Sequence, residues 1–146
     1  MKLYFAYGSN LWREQMKCRG PDHKVIGKGI LKGYRWTISK RGYANIVKSR
    51  SDEVLGIVYE ISDSDESTLD AKEGVEASCY RKDMLDIEIG DQTRKCLVNV
   101  DPLEGEGRPQ QEYMERINKG ISDAKLPSEY VDRYIRRFIP GQRVSR

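Results

Sequence analysis

The sequence predicts an α+β fold, and three observations carry that prediction. Leu85, Ile87 and Ile89 alternate with Asp86 and Glu88, Gly90-Asp91 is a two-residue turn signal, and Thr93–Val100 returns as the partner strand. Tyr113, Ile117, Ile121 and Ala124 repeat at helical spacing, and Tyr130, Val131, Tyr134, Ile135 and Phe138 do so again. Nowhere do strands and helices alternate in the regular βαβ order of a parallel sheet.

In chain order, Leu3–Ala6 is the first strand, and Leu11–Cys18 reads as a short helix closed by Arg19-Gly20-Pro21-Asp22. Gly27, Gly29 and Gly33 then fall among Val25, Ile26, Ile30 and Leu31, a spacing that suggests bends or bulges in a strongly curved sheet. Ala44–Val47 and Val54–Ile61 are further strands. The second is almost continuously apolar, which implies cover on both faces. Asp63-x-x-Glu66 has the form of a capping box opening a helix that Gly74 closes, so Glu73 sits at a helix end. After the hairpin and the loop Asp101–Arg108 come two helices, split by Pro127 and stopped by Pro140.

The stretch with most to say about chemistry is Tyr7-Gly8-Ser9-Asn10-Leu11, where a strand runs into a glycine turn at a helix start. The first N–H groups of a helix have no helical partner and lie at its positive end, which suits a carboxylate or an oxyanion. A tight turn capped by Ser9 or Asn10 explains the same residues without a ligand.

Tyr7-Gly8-Ser9-Asn10-Leu11 also resembles the signature loop of the γ-glutamylcyclotransferase-like (AIG2-like) family. Glu73-Gly74-Val75, followed by Tyr80-Arg81, looks like that family's other hallmark, in which the glutamate is the catalytic acid/base and a tyrosine seven residues on lies in the site. Weaker echoes follow in the right order: Gly33-Tyr34-Arg35, Ala44-Asn45-Ile46-Val47, Gly56-Ile57-Val58-Tyr59-Glu60, Pro109 with Tyr113, and Leu126-Pro127-Ser128-Glu129-Tyr130. One departure is Gln110, where the family usually has serine after the proline. The resemblance implies a small, curved, mixed β-barrel flanked by helices. It also implies Glu73 as the catalytic residue, and Tyr7, Gly8, Ser9, Asn10, Leu11, Tyr80 and Tyr113 as substrate-binding residues.

The implied reaction is intramolecular. The α-amine of a γ-glutamyl compound attacks its own γ-carbonyl, closes the five-membered ring of 5-oxoproline and expels the attached amine or amino acid. It needs a base for the α-ammonium, donors for the oxyanion and an acid for the leaving amine, with no external nucleophile. The sequence agrees to this extent: it has one histidine, His23, in a turn where solvent exposure is expected, and no Gly-x-Ser-x-Gly elbow. One carboxylate can act as base and then acid, and a glutamate serves better if burial or a helix C-terminus raises its pKa. Without the resemblance, Glu73 reads as a solvated helix-end residue. A binding module that keeps the anion cradle for a small carboxylate-bearing metabolite or peptide terminus, without turnover, is the alternative reading.

Composition narrows the setting. The chain has 146 residues, 38% of them hydrophobic, enough for one domain and one core, with a basic tail expected from about residue 141. No stretch reads as a signal peptide or a membrane span, so the expectation is a cytoplasmic protein without membrane contacts. Cys18, Cys79 and Cys96 are too scattered for a disulfide framework or a closely spaced zinc pair and are expected to be buried free thiols. No metal or other cofactor is implied. Residues 1–50 hold 12 lysines and arginines against Glu14 and Asp22, although the whole chain is only +3. No basic helix, zinc module or aromatic platform accompanies that charge, so it suits an acidic small-molecule γ-glutamyl substrate better than nucleic acid. The reading admits a homodimer.

Overall fold

The computed structural model describes residues 2–73, 80–103 and 105–141, with Glu73 described in its backbone only. Among the described residues five strands, β1 (Lys2–Ala6), β2 (Lys24–Ile38), β3 (Ala44–Ile61), β4 (Arg81–Ile89) and β5 (Gln92–Val100), close into a barrel in the order β1-β3-β2-β4-β5. All neighbours are antiparallel except β1 and β5, which meet in parallel at Tyr4↔Leu97 and make the barrel mixed. The β4–β5 hairpin turns at Ile89↔Gln92 across Gly90-Asp91, where Gly90 has φ +61°.

Strand alternation decides which residues fill the barrel. Phe5, Val54, Val58, Ile87 and Val98 point inward as one core. Tyr4, Ala6, Ile57, Tyr59 and Ile61 point outward into a second core, under Met16 of α1 (Arg13–Arg19) and Leu69 of α2 (Asp63–Glu73). Val54–Ile61 is therefore covered on both faces, as its apolar run predicts. Close packing at the β1–β3 crossing requires glycine: a Cβ on Gly56 would lie 2.1 Å from the Ala6 carbonyl oxygen.

Several elements differ from the sequence reading. The two strands expected at Ala44–Val47 and Val54–Ile61 form one strand, and the polar residues between them bulge from the ladder. The pairing jumps from Lys32↔Glu53 to Tyr34↔Lys48, Gly33 takes φ +84°, and the Ser49 hydroxyl donates to the Asp52 carboxylate across the bulge. In place of one helix over Leu11–Cys18 there is a 3-10 turn, Ser9–Leu11, then extended Trp12, then α1. The break is fixed from outside, because the Asp123 carboxylate of α3 (Gln111–Ala124) accepts the Arg13 N–H at 2.8 Å and so supplies the start of α1.

The capping box of α2 is Ser62-x-x-Asp65, one residue earlier than expected: Asp65 N–H donates to Ser62 Oγ and Ser62 N–H to Asp65 Oδ2. The last helix is a short α4 (Ser128–Tyr130) that continues as a π-helical turn, Val131–Ile135, with Arg136 N–H donating to the Val131 carbonyl. Gln110 stands at the N-cap of α3 and makes no side-chain cap bond. His23 is half-buried rather than exposed, with its ring edge-on to Tyr59 at 5.2 Å and its Nδ1 2.5 Å from the Gly20 carbonyl oxygen. Cys96 is buried as expected, whereas Cys18 is exposed on α1, and Cys79 lies outside the described residues.

Candidate active site

At the end of the barrel where β1 gives way to the Ser9–Leu11 turn lies a cavity of about 320 Å³. Small-molecule sites run from about 300 to 1,000 Å³, so it suits a compact ligand. Tyr7, Gly8, Ser9 and Asn10 line one side, with Tyr80 and Tyr113 also in its wall. Ala71 and Lys72, from the last turn of α2, also line it. The helix ends on Glu73, whose side chain, like Gly74 and Val75, lies outside the described residues.

The turn is held from several elements. The Tyr7 hydroxyl donates to the Asn99 carbonyl at 2.5 Å, and Trp36 Nε1 donates to the Tyr7 carbonyl at 2.9 Å. The backbone closes through Leu11 N–H on Gly8 O and Trp12 N–H on Ser9 O, while Asn10 O accepts from the Tyr59 hydroxyl. Burial pushes that tyrosine up to about 12, so it remains a donor at any physiological pH. The side chain of Asn10 donates to Tyr4 and accepts from Gln15 and Arg19. Leu11 stands apart from the other turn residues: it is 1% exposed in the outer core and does not line the cavity. Its Cβ backs onto Gly120 of α3, where a methyl would come within 2.8 Å.

Tyr113 is positioned by two neighbours. Its hydroxyl accepts the Ala44 N–H at 2.9 Å, and its ring packs edge-on against Tyr43 at 5.1 Å. α2 is drawn onto the barrel by Glu66, which takes Lys2 and Lys82, each at 2.6 Å, while Lys82 also reaches Asp70. Burial of Glu66 acts to raise its pKa, but hydrogen bonds from the two lysines outweigh it and hold the carboxyl below its ordinary value.

Some of the wall has no counterpart in the motif reading. Arg19, Arg41, Lys72 and Arg116 give it four cationic side chains. Arg41 pairs with the buried Asp101, which Asn45 holds through its main chain on both sides. Asn99 also lines the cavity, and among the described residues its buried Oδ1 has no hydrogen-bond partner. A lone amide within the apolar run Leu97–Val100 is the signal that could have singled it out. Among the described residues no group of three or more His, Cys, Asp or Glu is arranged to hold a metal ion, and no helix is long and apolar enough to cross a membrane.

Comparison with known proteins places this geometry. The model of the AIG2-like family matches residues 53–134. The γ-glutamylcyclotransferase of Mus musculus is 32% identical over 146 aligned positions, taking in 90% of this chain and 76% of that protein. This chain belongs to the AIG2-like γ-glutamylcyclotransferase family. The γ-glutamylcyclotransferase of Homo sapiens is 28% identical with the same coverage of both chains. A solved γ-glutamyl cyclotransferase superposes with a TM-score of 0.84 over 99% of this chain and 92% of its own, at 24% identity, which carries the fold. The family barrel thus accounts for the curved, mixed sheet.

Proposed function

We propose that this protein is a γ-glutamyl cyclotransferase that converts a γ-glutamyl amino acid or amine to 5-oxoproline and the free amine. The observation that carries the reading is one compact cavity walled by the Tyr7–Asn10 turn, Tyr80, Tyr113 and the last turn of α2, in a chain of this family. A cationic wall favours a substrate that always bears a carboxylate.

The chemistry needs only what such a wall can supply. Glu73, at the end of α2, takes a proton from the α-ammonium, and the freed amine attacks the γ-carbonyl. Donors of the Gly8-Ser9-Asn10 turn hold either the oxyanion or the α-carboxylate of the substrate. As the tetrahedral intermediate collapses, the γ-carbonyl re-forms and the C–N bond to the leaving group breaks. The same glutamic acid returns its proton to the departing nitrogen and then takes the second proton from the ring nitrogen, which the released amine carries away as its ammonium, so two protons move from the α-nitrogen to the leaving nitrogen and none is lost or gained over the cycle. Tyr80 orients that carboxyl and Tyr113 closes the pocket.

Incubation with a panel of γ-glutamyl dipeptides and γ-glutamyl amines, assayed for 5-oxoproline, tests the reading. Turnover by the wild type is expected, and Glu73→Gln should lower kcat at least about 10²-fold while ligand binding persists. Binding without 5-oxoproline would instead identify a non-catalytic module. Wild-type rates in Glu73→Gln would remove that residue from the proton transfers.

A further inference from the structure

Gln15 is a buried amide on α1, outside every motif considered above, and its three hydrogen bonds set a direction. Arg116 of α3 has only donors, and its Nη1 lies 3.3 Å from Gln15 Oε1. The oxygen of the amide therefore faces Arg116, and the nitrogen must face the turn. There Nε2 donates one hydrogen to Ser9 Oγ at 2.8 Å and the other to Asn10 Oδ1 at 2.8 Å. Asn10 cannot invert to suit a different partner, because Arg19 also donates to its Oδ1 and its Nδ2 is spent on Tyr4.

We infer that Gln15, anchored by Arg116, is a positioning residue for the cyclotransfer: it keeps Ser9 Oγ an acceptor on its protein side, so that the serine hydroxyl hydrogen donates into the cavity to a substrate oxygen. Ser9 lines that cavity and is 7% exposed, so its hydroxyl has two surroundings, the Gln15 amide and the ligand space. With one lone pair taken by an N–H, the remaining hydrogen turns to the other. The Arg116 charge polarises the amide and the amide polarises the hydroxyl, so each link strengthens the next as a donor. The same clamp ties the turn to α3, whose Asp123 already starts α1, and so couples the turn to the helix that carries Tyr113.

The inference rests on the cyclotransferase reading, and a double-mutant cycle separates the two. Gln15→Glu keeps the side-chain length and the Arg116 partner but offers Ser9 no hydrogen, so the serine must turn its own hydrogen onto the carboxylate and away from the cavity. Wild type, Q15E, S9A and S9A/Q15E are assayed on one γ-glutamyl dipeptide for 5-oxoproline, with thermal unfolding as the check on folding.

Q15E is expected to keep a folded barrel and lose about tenfold or more in kcat/KM. In the S9A background the same change should cost several-fold less than in the wild type, because the hydroxyl it redirects is gone and what remains is the lost bond to Asn10. A fall in kcat places the hydroxyl on the oxyanion and a rise in KM places it on the α-carboxylate; both support the assignment. Additive losses, or a Q15E variant as active as wild type, overturn it while leaving the cyclotransferase reading intact. No 5-oxoproline from wild type with any γ-glutamyl substrate overturns that reading and this inference with it. Should Q15E fail to fold, Q15M carries the same cycle, removing both bonds without adding a charge.

Discussion

Replacing Gly8 by alanine tests whether the turn is held as tightly as its packing implies. A Cβ built on Gly8 lies 2.9 Å from the Ala44 Cβ and 3.4 Å from the Tyr113 hydroxyl oxygen. Carbon atoms in contact prefer about 3.5–4.0 Å, so turn and β3 must separate by roughly 0.6 Å or more. Neither Cβ can rotate away, since both are fixed to backbone, and Ala44 is pinned by its N–H bond to Tyr113. Overpacking of this kind costs about 1–3 kcal/mol. For a chain of this size that lowers Tm by about 2–4 °C per kcal/mol.

Activity should suffer more than stability, because the displacement falls on the cavity wall between the turn and Tyr113. A misplacement near 1 Å can cost about 10²-fold, so a drop of at least about tenfold in kcat/KM is expected for Gly8→Ala. The companion variant Gly8→Ala/Ala44→Gly removes the facing methyl. It should recover most of the activity, while retaining the roughly 0.5–1 kcal/mol penalty of a glycine in a strand. Thermal unfolding and 5-oxoproline release on the three proteins measure both effects. If Gly8→Ala equals wild type in both, or Ala44→Gly restores nothing, the close approach of turn and β3 is not what fixes the site.

Three further outcomes follow from the structure. Thiol alkylation of the folded protein at mild alkaline pH should modify Cys18, which is exposed, and spare Cys96, whose thiol burial pushes up to about 11; peptide mapping reads both, and rapid labelling of Cys96 would contradict its placement in the barrel. Replacing Cys18, Cys79 and Cys96 together by alanine or serine should leave the chemistry intact with some loss of stability, checked by 5-oxoproline release and Tm. Glu66→Gln should cost about 1 kcal/mol at pH 7, after allowance for solvent screening of the two lysine pairs. Because the folded carboxyl lies below its unfolded value near 4.3, that contribution is full above the unfolded value and fades as pH falls through the folded one. Denaturant titrations of both proteins should therefore converge in acid, and an equal gap at all pH values would refute the linkage.

Much of the fold was readable because it is written in short periods. The β4–β5 hairpin followed from alternation and a Gly-Asp turn, α3 from its apolar spacing, and the two-sided burial of Val54–Ile61 from an unbroken apolar run. The turn at Tyr7–Asn10 was readable as a motif, and its neighbours on the cavity wall, Tyr80 and Tyr113, came with the same resemblance. Leu11 came with it too, yet its side chain belongs to the outer core, because a motif records identity and not the face a residue shows.

The sequence by itself determined the β4–β5 hairpin, the span of α3 and which short segments share a family's chemistry, since these are properties of neighbours along the chain. Only the tertiary structure decided which polar groups meet: Gln15 with Arg116, Arg13 with Asp123, Arg41 with Asp101, and Glu66 with both Lys2 and Lys82. It also split α1 from the turn and moved the cap of α2 by one residue. The physical reason is that a hydrogen bond depends on distance and direction between groups that closure of the barrel brings together, and no period along the chain encodes that approach.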